Sequence, residues 1–205
     1  MEGDERLRLF IGLRPPADAV DTLVDWQREQ LPDAVRAVPR DHLHVTLAFL
    51  GHRPAGELPA ILEALRAAAG RVVERPRLTP VRYRETRSVG MLVLEDEDGR
   101  AAALAGDLQE RLELLGVYRR ERRKWLPHLT VARFREPKGL RPSLPNRGTY
   151  VLIPSDASAY LSRLQPGQAG SQRSDTAGGR TRDHGSRPGL TPGSQYEILE
   201  SVSFR

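Results

Sequence analysis

The chain contains no cysteine. Disulfide bonds, thiol nucleophiles and Cys-ligated zinc are therefore excluded. It also contains no apolar run near the roughly 20 residues that a transmembrane helix requires. The opening stretch MEGDERLRLF lacks the apolar region of a signal peptide. We therefore expect a soluble, cytoplasmic protein that has no membrane partner.

Aromatic residues are scarce at 5%, and lysine occurs only as Lys124 and Lys138. Arginine supplies nearly all of the 32 basic residues, which outnumber the 27 acidic ones. A guanidinium group binds two phosphate oxygens at once, so an arginine-rich surface suits nucleic acid. GC-rich coding produces the same composition. Charge alone therefore permits an RNA partner without requiring one.

Hydrophobic periodicity predicts a mixed α+β order along the first two thirds of the chain. Strands are expected over residues 7–13, 77–85 and 89–94, and helices after Pro16, over residues 58–69 and around residues 104–115. Gly116 is the expected C-terminal cap of the last helix. The order strand, helix, strand recurs, which is typical of an internal repeat. We predict a bilobal fold of two pseudo-symmetric sheet-plus-helix lobes, with the active site in the cleft between them.

The last third has a weaker pattern. Strands are expected over residues 150–153, 159–164 and 196–204. Between them, residues 165–194 contain Leu190 as the only large apolar side chain and are rich in Gly, Ser, Arg and Pro. Such a segment cannot bury enough apolar surface to offset its ordering entropy. We predict a disordered insert within a C-terminal hairpin of one domain, residues 1–205, in a monomeric protein.

One short phrase occurs twice, as HVTLAF from His44 and as HLTVAR from His128. Alternate side chains of a strand share a face, so the histidine and the threonine of each copy are expected side by side. The polar face of the two copies is expected to carry His44, Thr46, His128 and Thr130. The apolar face is expected to carry Val45, Leu47, Leu129 and Val131. By the same alternation Ala48 and Ala132 face the polar side and leave room there.

Two imidazoles and two hydroxyl groups suit a phosphate ester. Near their unperturbed pKa of about 6.5, two histidines serve as one general acid and one general base. Threonine hydroxyls donate to non-bridging oxygens. A 2′,3′-cyclic phosphate fits this layout, because the attacking water and the leaving ribose oxygen lie on opposite sides of phosphorus. No metal or other cofactor is required, and the sequence has neither a P-loop nor a GxSxG motif.

The paired motifs HVTL and HLTV resemble the two HxTx signatures of the two-histidine phosphoesterase superfamily. RLFIGLRPP, VPRDHLHVTLAFLG and WLPHLTVAR narrow this resemblance to the RNA 2′,3′-cyclic phosphodiesterase family, historically called 2′-5′ RNA ligases, over about residues 6–138. The resemblance implies that His44 donates a proton to the departing ribose 3′-oxygen and that His128 activates water. It also implies that Thr46 and Thr130 hold phosphate oxygens and that RNA is left with a 2′-phosphate. Residues 165–194 depart from the family.

Other site residues are open to two interpretations. His42 lies on the same face as His44 and, with His128, forms the only candidate zinc site, although no further ligand stands at suitable spacing. Phe49 and Trp125 are candidates for stacking on a base, while a core position is favoured for Phe49. Arg133 falls on the strand face opposite His128 by strict alternation, which favours a structural ion pair over a phosphate contact.

Three alternative functions remain open at this point. The same site supports 2′-5′ RNA ligation, which is formally the reverse reaction, and it also suits small cyclic nucleotides. A non-catalytic RNA- or nucleotide-binding module would retain the fold without the chemistry. Both His–Thr pairs are intact, and this favours catalysis.

Overall fold

The computed structural model describes residues 5–145, 150–164 and 194–204. Its elements, in chain order, are β1 (Arg6–Leu13), α1 (Ala17–Gln30), β2 (Arg36–Ala37), β3 (Val45–Pro54), α2 (Leu58–Ala69), β4 (Leu78–Glu85), β5 (Val89–Asp96), α3 (Arg100–Leu114), β6 (His128–Arg133), β7 (Asp156–Leu164) and β8 (Ser194–Ser203). The predicted helices and main strands are confirmed. The strand predicted over residues 150–153 is reduced to one bridge, between Leu152 and Leu78.

The strands form one antiparallel sheet in the order β4-β5-β6-β3-β1-β7-β8, with β2 added beside β6. Helices α2 and α3 pack on each other; α2 also contacts β7, and α3 contacts β3. Side chains such as Leu47, Leu65, Leu108 and Leu129 are almost completely buried in the core. Each buried leucine contributes on the order of 1.5–3 kcal/mol to stability. The α+β class is confirmed.

The two lobes meet at the centre of the sheet, where β3 and β6 are neighbours. These strands pair through Val45 opposite Leu129. Beyond this pair, β6 pairs with β2 instead, through Ala37 and Ala132. Strand β1 flanks β3 in one lobe, and β5 flanks β6 in the other. The strand order is thus related by an approximate twofold axis at Val45 and Leu129, and beyond this pair the two motif strands no longer pair with each other.

Each motif strand contains a bulge at the same place. On β3, Thr46 and Ala48 pair with consecutive residues of β1. On β6, Thr130 and Ala132 pair with consecutive residues of β5. The fourth residue of each motif, Leu47 in the first and Val131 in the second, is therefore the extra residue. A bulge shifts the alternation of the side chains that directly follow it by one position.

The predicted orientation of the two alanines is wrong for this reason. Ala48 and Ala132 are buried in the core rather than exposed beside the histidines. The bulge moves the next residue of each strand, Phe49 or Arg133, onto the exposed side. A one-residue slip always exchanges the two faces of a strand.

Strands β7 and β8 form the C-terminal hairpin. They pair antiparallel from Asp156 opposite Ser203 to Leu164 opposite Ser194. This confirms that the last segment returns to the sheet. Residues 165–193, which make up nearly all of the predicted insert, lie outside the described residues. The helices in the described ranges are all too short or too polar to traverse a lipid bilayer.

Candidate functional site

The four polar side chains of the repeated motifs come together at the lobe junction. Since Val45 lies opposite Leu129, the antiparallel register places His44 opposite Thr130 and Thr46 opposite His128. All four side chains are half-buried, while Val45 and Leu129 are buried on the other face. Each imidazole therefore has one hydroxyl beside it on its own strand and another across the strand pair.

Both imidazole rings are held in the same orientation. His44 Nδ1 lies 2.8 Å from the carbonyl oxygen of His42, and His128 Nδ1 lies 2.9 Å from that of Leu126. A carbonyl oxygen only accepts, so each Nδ1 carries a hydrogen and donates it. This fixes the tautomer of the neutral ring and leaves Nε2 as the atom that exchanges protons.

The surroundings of His44 are aromatic. Its ring stacks on Phe10, with centroids 4.5 Å apart, and contacts Tyr196 edge-on at 5.5 Å. Phe10 in turn stacks on buried Tyr160. Burial lowers the pKa of His44 to about 4; the backbone hydrogen bond opposes this, and the positive charges of His128 and Arg133 add to it. In the free protein His44 is therefore neutral at pH 7.

A glycine makes room for this ring. A Cβ atom at Gly12 would lie 2.9 Å from the carbonyl oxygen of Val45 and 3.4 Å from Cδ2 of His44. The first contact involves backbone, so it cannot be relieved by a rotamer change. Gly12 pairs with Thr46 on the neighbouring strand. The close approach of β1 therefore sets the positions of both polar residues of the first motif.

His128 has different surroundings, because a cavity of about 650 Å³ opens beside it and Thr46. The indole Nε1 of Trp125 donates a 3.0 Å hydrogen bond to the carbonyl oxygen of Thr46. Trp125 is half-buried and lines the cavity together with Phe49. The structure thus distinguishes the two histidines, which the nearly symmetric sequence motifs do not.

Two predictions about the residue after the bulge need correction. The core position favoured for Phe49 is wrong, since its side chain is 51% exposed and lines the cavity. Arg133 is exposed and forms no ion pair with any described residue, contrary to the favoured structural role. Its charge lowers the pKa of both His42 and His44. Since the other face of β6 is buried in the core, the exposed side chain of Arg133 lies on the histidine side of the sheet.

Two buried glutamines were missed by the sequence analysis. Gln109 of α3 donates a hydrogen bond of 2.8 Å to the carbonyl oxygen of Leu47. Gln27 of α1 donates two hydrogen bonds, one of 2.7 Å to the carbonyl oxygen of Val131 and one of 3.1 Å to the carbonyl oxygen of Val38. Leu47 and Val131 are the two bulge residues, so each glutamine satisfies the bulge carbonyl of one motif strand. No local sequence signal distinguishes these glutamines from surface residues of an amphipathic helix.

His42 does not complete a metal site in the described structure. Its side chain packs against Tyr196, with ring centroids 4.4 Å apart, and its carbonyl group orients His44. Within residues 5–145, 150–164 and 194–204, no cluster of three or more His, Asp or Glu side chains is placed to hold a metal ion.

Comparison with known proteins agrees with this geometry. The sequence model of the 2′-5′ RNA ligase superfamily matches residues 15–148. An RNA 2′,3′-cyclic phosphodiesterase of Escherichia coli K12 is 30% identical over 135 residues, which are 63% of this chain and 73% of that protein.

Solved structures show the same fold. The Thermus thermophilus protein TT0787 superimposes with a TM-score of 0.70 at 27% identity, covering 97% of this chain and 98% of that one. E. coli LigT, crystallised with 3′-AMP, superimposes with a TM-score of 0.68 at 20% identity, covering 98% and 99%. The family match spans both HxT motifs and most of the two lobes. The chain belongs to the 2′-5′ RNA ligase superfamily.

Proposed function

We propose that this protein hydrolyses the terminal 2′,3′-cyclic phosphate of RNA to a 2′-phosphomonoester, with His44 and His128 as the acid–base pair. The observation that carries the proposal is the facing register of the two motifs, with both imidazoles oriented through matched Nδ1–carbonyl bonds. The E. coli relative is named an RNA 2′,3′-cyclic phosphodiesterase, which supports the choice of substrate.

The proposed reaction is an in-line displacement at phosphorus. Nε2 of His128 accepts a proton from water as the water oxygen forms a bond to phosphorus. The bond between phosphorus and the ribose 3′-oxygen breaks, and Nε2 of His44 donates a proton to that oxygen. One water is consumed, and the phosphate remains on the 2′-oxygen. The two histidines exchange protonation states and are reset by solvent.

The threonines and one arginine stabilise charge in this scheme. The hydroxyl groups of Thr46 and Thr130 donate to the non-bridging oxygens, whose negative charge grows as water attacks. Arg133, brought to the histidine side by the bulge, adds a fixed positive charge. The flanking cavity with Phe49 and Trp125 offers aromatic surfaces to the terminal nucleoside.

The protonation of His44 is coupled to substrate binding. In the free protein its pKa is about 4, so a proton donor is absent at neutral pH. A cyclic phosphate diester carries one negative charge, which favours the imidazolium form of a histidine within a few ångströms. Binding therefore brings a proton to His44 and prepares the acid only when there is a leaving group to protonate.

The test is turnover of an RNA oligomer that ends in a 2′,3′-cyclic phosphate, with a chelator present. Release of a 2′-phosphate end is the expected result. A 3′-phosphate product would contradict the proposed leaving group. Adding an RNA with a 5′-hydroxyl end tests ligation in the same assay, and 2′,3′-cyclic AMP tests small cyclic nucleotides. Binding of the oligomer without turnover by any route would indicate a non-catalytic module.

A further inference from the structure

The cavity beside His128 is strongly basic. Five of its lining residues are cationic and one, Glu121, is acidic; the cations are Arg84, Arg119, Arg120, Arg123 and Lys124. Glu121 pairs with Arg123, and the guanidinium of Arg120 donates to the carbonyl oxygen of Gly106.

The other three cations have no ion-pair or hydrogen-bond partner among the described residues. Among the described residues, Arg84, Arg119 and Lys124 form no ion pair or side-chain hydrogen bond with one another or with any neighbour. All three are exposed. A cluster of like charges without counter-charges is unfavourable by itself and raises the local concentration of anions. The cavity is therefore suited to more than the single phosphate at the histidines.

Two aromatic side chains, Phe49 and Trp125, line the same cavity as the cations and His128. Phe49 exposes 51% of its surface although it lies in a central strand, and the Arg8 guanidinium lies 5.2 Å from its ring centroid. Trp125 is fixed by its bond to the Thr46 carbonyl. Aromatic faces beside a basic groove are the usual combination for single-stranded RNA, where bases stack and the backbone is neutralised.

The two sides of the catalytic cluster differ in access. On the side of His44, three aromatic rings surround the imidazole: Phe10 stacks on it and on Tyr160, and Tyr196 packs edge-on against it. On the side of His128 and Thr46, the cavity is open. An RNA that ends in a 2′,3′-cyclic phosphate continues in one direction only, through the 5′-oxygen of its last nucleotide.

We propose that the basic cavity binds the 5′-side of the RNA strand, with the phosphate that precedes the terminal nucleoside held by Arg84, Arg119 and Lys124. This inference rests on the proposed function and makes the enzyme selective for strands over nucleoside cyclic phosphates. A nucleoside 2′,3′-cyclic phosphate carries no phosphate on its 5′-side for these cations to bind, whereas the 5′-phosphorylated compound does.

The experiment compares kcat/KM for three substrates: adenosine 2′,3′-cyclic phosphate, the same compound with a 5′-phosphate, and a trinucleotide that ends in a cyclic phosphate. The variants are Arg84→Ala, Arg119→Ala and Lys124→Ala. Arg122→Ala is the matched control, since Arg122 is an exposed arginine of the same run that does not line the cavity.

In the wild type, the 5′-phosphate is expected to raise kcat/KM about tenfold, the effect of one charged hydrogen bond. Each cavity variant should lose most of this gain while keeping its rate on the nucleoside. The slope of log(kcat/KM) against log[salt] should become shallower by about 0.7 for each phosphate that the variant no longer neutralises. Arg122→Ala should behave as the wild type.

Equal kcat/KM with and without the 5′-phosphate would overturn the inference and leave the proposed function intact. Equal losses in Arg122→Ala and the cavity variants would also overturn it, because the effect would then come from net charge. If the wild type cleaves none of the substrates, the proposed function fails. Fluorescence anisotropy of a 5′-labelled trinucleotide ending in a 2′-phosphate then decides the inference, which requires weaker binding by the cavity variants than by Arg122→Ala.

Discussion

At the scale of single residues, the two histidines have the same backbone contacts but different electrostatic surroundings. Each donates through Nδ1 to the carbonyl group two residues earlier. His44 is enclosed by aromatic rings, while His128 borders an open cavity. This asymmetry lowers the proton affinity of His44, and in the proposed mechanism a bound anion raises it again.

We predict that the imidazole of His44 titrates with a midpoint of about 4 in the free protein and at higher pH when inorganic phosphate is bound. Desolvation disfavours the imidazolium form and so lowers the pKa of His44, whereas a neighbouring anion favours that form and raises the pKa. Long-range ¹H–¹⁵N NMR spectra recorded from pH 3.5 to 8 measure both midpoints, with His44→Gln to assign the signal. A free-protein midpoint near 6.5, or no change with phosphate, would contradict this.

The histidines and threonines were accessible from sequence, because their spacing alone puts each pair on one strand face. Arg133 was misplaced by the same rule, and Phe49 by the expectation that one of the few aromatic residues lies in the core. A bulge depends on how the neighbouring strand pairs, and nothing within HVTLAF or HLTVAR indicates that its fourth residue is extra. The aromatic enclosure of His44 was also hidden, since Phe10 and Tyr196 come from distant parts of the chain.

At the scale of elements, the bulges are held by helices that cross between the lobes. Gln27 follows β1 in the first lobe and supports the bulge of β6 in the second, while Gln109 supports the bulge of β3. Each lobe thus supplies the glutamine that supports the bulge of the other lobe. Each bulge lies directly after a motif threonine, so the glutamines position the hydroxyl groups as well as satisfying buried carbonyls.

Replacing either glutamine by leucine leaves a buried carbonyl group without a donor. We predict a loss of about 1–3 kcal/mol in the free energy of unfolding for Gln109→Leu. A larger loss is expected for Gln27→Leu, which removes two hydrogen bonds. Urea unfolding measures these losses. In addition, kcat should fall more than KM rises, because the threonines act on charge that develops in the transition state.

Gln30→Ala is the matched control, since Gln30 lies on the same helix as Gln27 and accepts a hydrogen bond from Ser143 outside the site. Its kcat should equal that of the wild type. If the leucine variants lose stability but keep wild-type kcat, the glutamines support the fold alone and do not position the threonines.

Most elements could be predicted because their hydrophobic period is strong and local. The apolar stripes of α2 and α3 and the positions of β4 and β5 follow directly from the sequence. The two-residue strand β2 could not be predicted, since Arg36–Ala37 has no strand pattern and is defined by its pairing with β6. The single Leu152–Leu78 bridge likewise depends on tertiary contact, which overrides propensity in so short a segment.

At the scale of the whole molecule, the approximate twofold axis explains why the HxT motif occurs twice, at His44 and at His128. In the proposed mechanism each copy supplies either the acid or the base, and only the facing pair supplies both. Residues 165–193 lie far from the motifs in sequence and connect β7 to β8, whose last pair is Leu164 opposite Ser194.

We predict that residues 165–193 are not needed for catalysis. Replacing them by Asn-Gly connects Leu164 to Ser194 with a two-residue hairpin turn, which suits residues that are directly opposite on antiparallel strands. Turnover within about twofold of the wild type is expected, since less than ~0.5 kcal/mol of transition-state stabilisation should change. Loss of turnover with an unchanged circular dichroism spectrum would show that the segment takes part in the reaction.

The acid–base pair is tested most directly by single-turnover rates of His44→Ala, His128→Ala and the double variant on one cyclic-phosphate RNA. Each single variant should be slower by about 10²–10⁴-fold, the usual contribution of a positioned proton-transfer group. The double variant should be little slower than the worse single variant, because the two groups act in one step. A natively folded single variant that retains nearly the wild-type rate would contradict the account.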